Sequence, residues 1–141
     1  MILYADTSAL LKLYVEEEGS EVARREVGQA SSVGTSLLAY PEMRSALGRA
    51  LRAERLSEQS YQTAAAAFEE HWDSLVAVDF TAELARLAGE LAGKHWLRGS
   101  DAVHLASALT LERETDDELV LTAWDADLLT AATAEGLKLA H

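Results

Sequence analysis

Apolar residues return along the chain in two alternating rhythms, short unbroken runs and longer stretches with apolar positions every three or four residues. ILYA (2–5) is the first run and reads as a buried strand that stops at Asp6. SALLKLYV (8–15) and, after Gly19, SEVARREVGQA (20–30) read as helices, and SSVGTS (31–36) as a weaker second strand. From Met43, the residues Ala46, Leu47, Ala50 and Leu51 keep the spacing of one helix face. Tyr61, Ala64, Ala65, Phe68 and Trp72 repeat it after a start signal at Ser57 and Glu58. SLVAVDF (74–80) predicts a third strand. Leu84, Leu87, Ala88, Leu91 and Ala92 mark another helix, and residues 102–111 a further one. ELVLTAW (118–124) predicts a fourth strand, 126–134 a last helix, and LKLA (137–140) a fifth strand.

Strands that alternate with helices imply an α/β fold, because a parallel connection must cross over its sheet and a helix is the usual crossover. The expectation is a single-domain α/β/α sandwich with a mostly parallel, about five-stranded central sheet. One domain over residues 1–141 suits the length and the 49% hydrophobic content; with a single proline, no linker or repeat divides the chain. Such sheets bind ligands just outside the carboxyl ends of their strands. Asp6 falls at such an end.

Composition narrows the chemistry. A formal net charge of −12 opposes a plain nucleic-acid-binding module, whose affinity for phosphates comes from Lys and Arg. It suits a cation site and a basic protein partner, and an acidic surface that serves solubility alone fits equally well. The absence of cysteine excludes disulfides, thiolate catalysis and the commonest zinc sites. His71, His95, His104 and His141 are scattered, so a bound metal would be held by oxygen. No secretory leader pattern is present, and no uncharged apolar run approaches the ~18 residues that span a bilayer. A cytoplasmic protein without membrane contact is expected.

Four carboxylates stand where helices begin: Asp6, Glu42 in LLAYPEMRSAL, Asp101 in LRGSDAVHLASAL and Asp125 in LTAWDADLLTAA. A sheet with helical crossovers can gather all four at one edge although they are far apart in sequence. Each also fits a helix cap or a first-turn acid, and Glu42 after Pro41 is ordinary first-turn chemistry. Asp79, which ends VAVD in the same manner, shows that such an acid arises without a site. Spacing alone leaves both readings open.

YADTSALLKLY, AYPEMRSAL, SDAVHLASAL and WDADLLTAA come in the order and approximate separation of the PIN-domain ribonucleases. Across nearly the whole chain, the sequence most resembles the VapC-type toxins of bacterial toxin-antitoxin pairs. The resemblance implies that Asp6, Glu42, Asp101 and Asp125 are the catalytic acids of a site holding Mg²⁺, for which Mn²⁺ substitutes. It implies an endoribonuclease that hydrolyses RNA with metal-activated water and leaves 5′-phosphate and 3′-hydroxyl ends. Ser8 would orient a carboxylate or a water on the metal, with Thr7 the second choice and Asp127 a further supporting acid. Many relatives carry Ser or Thr two residues before the last Asp, where this chain has Ala123; Thr122, its neighbour, points elsewhere on a strand. A homodimer is implied, as is an antitoxin whose C-terminal segment points an arginine into the acidic site. A guanidinium pairs bidentately with carboxylates.

RNA contacts are sought among the cations. Arg44, Arg49, Arg52 and Arg55 fall opposite the apolar arc of their helix, where a solvated face with acidic partners such as Glu54 is the ordinary reading. Arg98, just before Asp101, is better placed for a phosphate. His104, one turn after Asp101, is within reach of it, although a packed histidine suits an apolar helix better. Trp72, Trp96 and Trp124 have faces on which bases stack, but large aromatics usually fill cores or interfaces. One rival function is a catalytically inactive PIN-like module that binds RNA or protein. A second is a phosphatase of the haloacid-dehalogenase type, which needs an Asp where Ser8 stands.

Overall fold

The apolar run at the start of the chain forms β1 (Ile2–Ala5), all four residues of which are buried. A computed structural model describes residues 1–141. After β1 come α1 (Thr7–Leu11), α2 (Ser20–Gln29), β2 (Ser32–Ser36), α3 (Ala39–Arg52), α4 (Glu58–Trp72) and β3 (Val76–Val78). α5 (Ala82–His95), α6 (Gly99–Glu114), β4 (Leu119–Thr122), α7 (Ala126–Ala134) and β5 (Lys138–Leu139) complete the chain. The five strands form one sheet in the order β3-β2-β1-β4-β5, and every pairing is parallel. Tyr4 of β1 faces Gly34 and Leu121 across the register, so β1, β2 and β4 end at one edge.

Strand alternation divides the core between the two faces of the sheet. Ile2, Tyr4, Leu119, Leu121 and Ala123 pack with α5, α6 and α7 in the main hydrophobic cluster. On the other face Ala5 meets Leu10, Ala39, Met43 and Phe68, and a small cluster of Val15, Leu47 and Ala64 continues that layer. Helix α6 is buried at every position from Ala102 to Leu109. A helix apolar all round belongs inside the molecule, and α6 is packed against α5 and β2. No helix is long and apolar enough to cross a membrane.

Several element boundaries differ from the sequence expectation for physical reasons. The first helix ends at Leu11 instead of running to Val15. Its continuation is a turn in which the Lys12 ammonium bonds Glu17 Oε1 and the Glu18 carbonyl, while Val15 enters the core. Helix α3 starts at Ala39, ahead of Met43, because Pro41 lies in the first turn, where its missing N–H leaves no bond unmade. The same helix ends at Arg52, so Arg55 lies beyond it and pairs with Glu17 at 3.6 Å. Helices α5 and α6 begin earlier than their apolar spacing indicates. The Thr81 hydroxyl caps α5 by accepting from the Leu84 N–H, and the first turn of α6 is polar. Two residues that are not glycine, Glu54 and Trp96, adopt left-handed backbone at φ 58° and 54°, a conformation costing about 1–2 kcal/mol.

At Gly34 a side chain of a helix lies directly on the sheet: a Cβ there would lie 2.4 Å from Leu111 Cδ2 of α6. Gly34→Ala is therefore expected to lower stability by ~1–3 kcal/mol through overpacking. Urea unfolding checks this. Trimming the neighbour in Gly34→Ala/Leu111→Ala should cost less than the sum of the single changes.

Candidate active site at the carboxyl edge of the sheet

Asp6 is the first residue beyond β1 and is only 4% exposed. Its Oδ1 accepts both the Ala9 N–H at 3.0 Å, which caps α1, and the Ser8 hydroxyl at 2.7 Å, so Oδ2 is left without a bond. Asp125, after β4, divides its oxygens similarly. Oδ1 caps α7 through the Leu128 N–H at 2.9 Å, and Oδ2 lies 3.3 Å from the Arg98 guanidinium. Glu42, in the first turn of α3, accepts the Thr7 hydroxyl at 2.7 Å and His104 Nε2 at 2.8 Å, both on Oε1. Asp101, in the first turn of α6, faces Arg98 Nε at 3.5 Å through Oδ2. Capping and site membership are thus compatible, because each of the capping aspartates uses one oxygen to start its helix and keeps the other.

The carboxylates feel one another. Burial raises the Asp6 pKa above the ordinary carboxylate range; the positive side of His104 and the bonds from Ser8 and Ala9 oppose this, and the charge of Asp101 adds to it. Asp101 is also raised, first by burial and then by the charge of Asp125, against the pull of Arg98 and His104. Glu42 is lowered: burial pushes it up, but the bonds from His104 and Thr7, with the charges of His104 and Arg49, outweigh that push. Arg98 is the cation that bridges two of the acids, and its side chain is 80% exposed.

His104 ties this edge to the core. It is 2% exposed, with Nδ1 2.9 Å from the Tyr4 hydroxyl and Nε2 directed at Glu42 and, at 3.2 Å, at Thr7. Thr7 gives its hydroxyl proton to Glu42, so the network assigns the Nε2 proton to His104, which donates it to the carboxylate. Burial holds the Tyr4 phenol well above its usual range, keeping it a donor.

The donors present suit a hard divalent cation in kind: all are carboxylate oxygens, and two of the acids bear charge that burial and mutual repulsion disfavour. No group of three or more acidic, histidine or cysteine side chains is drawn together closely enough to enclose an ion, and Asp101 and Asp125 are turned to Arg98. A cation entering between those two must take the place of the guanidinium.

The other residues singled out in the sequence fall as follows. Ser8 and Thr7 both hold carboxylates, Ser8 that of Asp6 and Thr7 that of Glu42. Asp127 is exposed and bonds to none of the four acids; it sits in the first turn of α7, where a negative charge favours the helix dipole. Arg44 turns away to Tyr40 and Glu69. Arg49, two turns after Glu42, lines with Thr7, Glu42 and Ser45 a cavity of about 310 Å³. Ala123 is buried against the main core, and Thr122 faces the opposite side, donating to Glu26 at 2.6 Å. His104 bonds Glu42 and not Asp101, its nearer neighbour in sequence. Arg49 was recoverable from its seven-residue spacing to Glu42; the partner of His104 was not.

The family profile described as PIN domain matches residues 3–134. Ribonuclease VapC45 of Mycobacterium tuberculosis (strain CDC 1551 / Oshkosh) is 41% identical over 139 residues, covering 99% of this chain and 94% of that protein. The crystal structure of M. tuberculosis VapC20, a sarcin-ricin loop cleaving toxin, superposes with TM-score 0.66 at 20% identity, covering 96% of this chain and 95% of that one. That of VapBC2 from Rickettsia felis, bound to a DNA fragment from their promoter, gives TM-score 0.63 at 12% identity over 99% and 97%. These two likenesses are of fold.

A raised pKa in the folded state means that ionising Asp101 destabilises the metal-free protein. That group's contribution to stability is full below its unfolded pKa and lost as pH rises through the folded one. In chelator, Asp101→Asn should therefore melt a few degrees above the wild type at pH 7–8. The difference should vanish as the buffer is taken to pH 4 and below, which a series of melting curves checks.

Proposed function

The chain belongs to the PIN-domain family, among its VapC-type members, and from that premise we propose that it is a Mg²⁺-dependent endoribonuclease, with Mn²⁺ as a substitute, acting as the toxin of a toxin-antitoxin pair. The observation that carries the reading is the coupling of Asp6 to Asp101 and of Asp101 to Asp125 at one end of the sheet, two of these acids raised by burial and by a neighbouring acid's charge, with Glu42 tied to the same region through His104. Asp6, Glu42, Asp101 and Asp125 would hold a divalent ion, which would supply positive charge to a phosphodiester and acidify water. The chain's own groups prepare that site. Ser8 and the Ala9 N–H fix Asp6 through Oδ1 and leave Oδ2 for a ligand; Thr7 and His104 fix Glu42 through Oε1 and leave Oε2. His104 keeps its Nε2 proton toward Glu42, so it orients a carboxylate and takes no proton there. Arg98, exposed at the rim, is free to exchange its carboxylates for a substrate phosphate.

RNA as substrate is supported by the name of the 41% identical relative, a ribonuclease. A protein antitoxin is supported by the VapBC2 complex among the structural neighbours, and the pairing of Asp101 and Asp125 with the chain's own Arg98 is consistent with an arginine of a partner taking that place. A cytoplasmic homodimer completes the reading. The inactive-module alternative draws on the same Arg98 bridge and on the open spacing of the acids.

Incubation with single-stranded RNA separates the two. Cleavage should require Mg²⁺ or Mn²⁺, stop in chelator and leave 5′-phosphates, and Asp6→Asn and Asp101→Asn should each lose more than ~100-fold while still folded. Cleavage that persists in chelator, or in the Asn variants, would overturn the proposal.

A further inference from the structure

Trp96 is the C-cap of α5, in left-handed backbone at φ 54°, and is 90% exposed. The backbone conformation ends the helix, with the Leu97 N–H on the Ala92 carbonyl and Leu97 in the core; the exposure of the ring has no such cause within the molecule. A left-handed cap favours glycine, and an indole in water gains nothing from burial. The other two tryptophans are engaged: Trp72 packs on Tyr40 and Phe68 at 5.2 and 5.6 Å between ring centroids, and Trp124 lies between His141 and Lys12 at 4.4 and 4.8 Å. The backbone around Trp96 is held. Lys94 and His95 both bond Glu135 at 2.7 Å, and Leu97 is buried in the main core. The ring is thus presented on a fixed support.

What it meets is indicated by its neighbours. Arg98, two residues on, reaches Asp101 and Asp125, and two residues span at most about 7 Å. Gly93, Lys94, Arg98, Gly99 and Ser100 around it are exposed and polar or small. An aromatic face beside a cation is an arrangement that receives a base and its phosphate from a single strand; protein interfaces are enriched in the same two residue types, so the test includes the oligomeric state. We propose that Trp96 is a stacking platform for an RNA base next to the cleavage site, with Arg98 on an adjoining phosphate; this rests on the ribonuclease reading.

The test uses a fluorescein-labelled single-stranded RNA pool of mixed sequence, bound in chelator to prevent cleavage and followed by anisotropy. Trp96→Gly should weaken binding about 5- to 100-fold while melting no lower than the wild type and up to about 4 °C higher. Trp96→Phe should keep most of the affinity, and Trp96→Leu, with bulk but no ring, should lose it. Quenching of indole fluorescence by RNA should disappear in Trp96→Gly. The proposal is overturned if Trp96→Gly binds within twofold of the wild type, or if Leu and Phe behave alike. It is also overturned if the Gly variant falls from dimer to monomer with RNA affinity per chain unchanged, which would make the indole a contact for a second copy. Equal binding by Trp96→Gly and wild type, alongside loss of cleavage in Asp101→Asn, removes the platform and leaves the nuclease standing; no binding by the wild type also removes the platform, and the nuclease is then judged by metal-dependent cleavage alone.

Discussion

Negative charge withheld from water at the end of the central strand is the constraint around which this molecule is arranged. Asp6 is nearly buried, its neighbour Asp101 is raised by burial and by Asp125, and only Arg98 offsets the second of these repulsions by contact. Bringing like charges together in a poorly hydrated place is unfavourable unless something else holds the backbone. Here the holding is done by β1 between two parallel neighbours and by α6, buried along most of its length. The acids are where the fold puts them, and the fold tolerates their mutual repulsion.

Hydrogen bonding then decides how each acid is used. An aspartate that caps a helix is ordinarily spent on local structure, yet Asp6 and Asp125 each commit a single oxygen to the cap. Ser8 doubles on the committed oxygen of Asp6, and Thr7 and His104 do the same on Glu42. The uncommitted oxygens are the ones available to a cation.

Much of this could be read before any coordinates, and the particular failures are instructive. Strands and helices were visible because their apolar periods differ, and the sheet edge followed from the alternation. The helix after Asp6 was drawn too long because Lys12, apolar in its stem, continues the pattern while its ammonium turns to Glu17 and Glu18. Helix α6 was drawn too short because its polar first turn precedes the apolar stretch. Capping and ligation compete for the same acid in the sequence; in the fold they fall to separate oxygens, which tertiary structure alone reveals. The partner of His104 lies 62 residues away, beyond local spacing, whereas the Arg98–Asp101 contact, three residues apart, was within its reach. Trp96 runs against the expectation that aromatics are covered.

The Tyr4–His104–Glu42 chain couples two things usually treated as separable, catalytic inventory and hydrophobic interior. Transplanting the four acids onto another doubly wound scaffold would import the donors without the rod that aims one of them. Drift at positions 4 and 104 is accordingly expected to be correlated within lineages, since losing either residue slackens Glu42, which stands on a different helix.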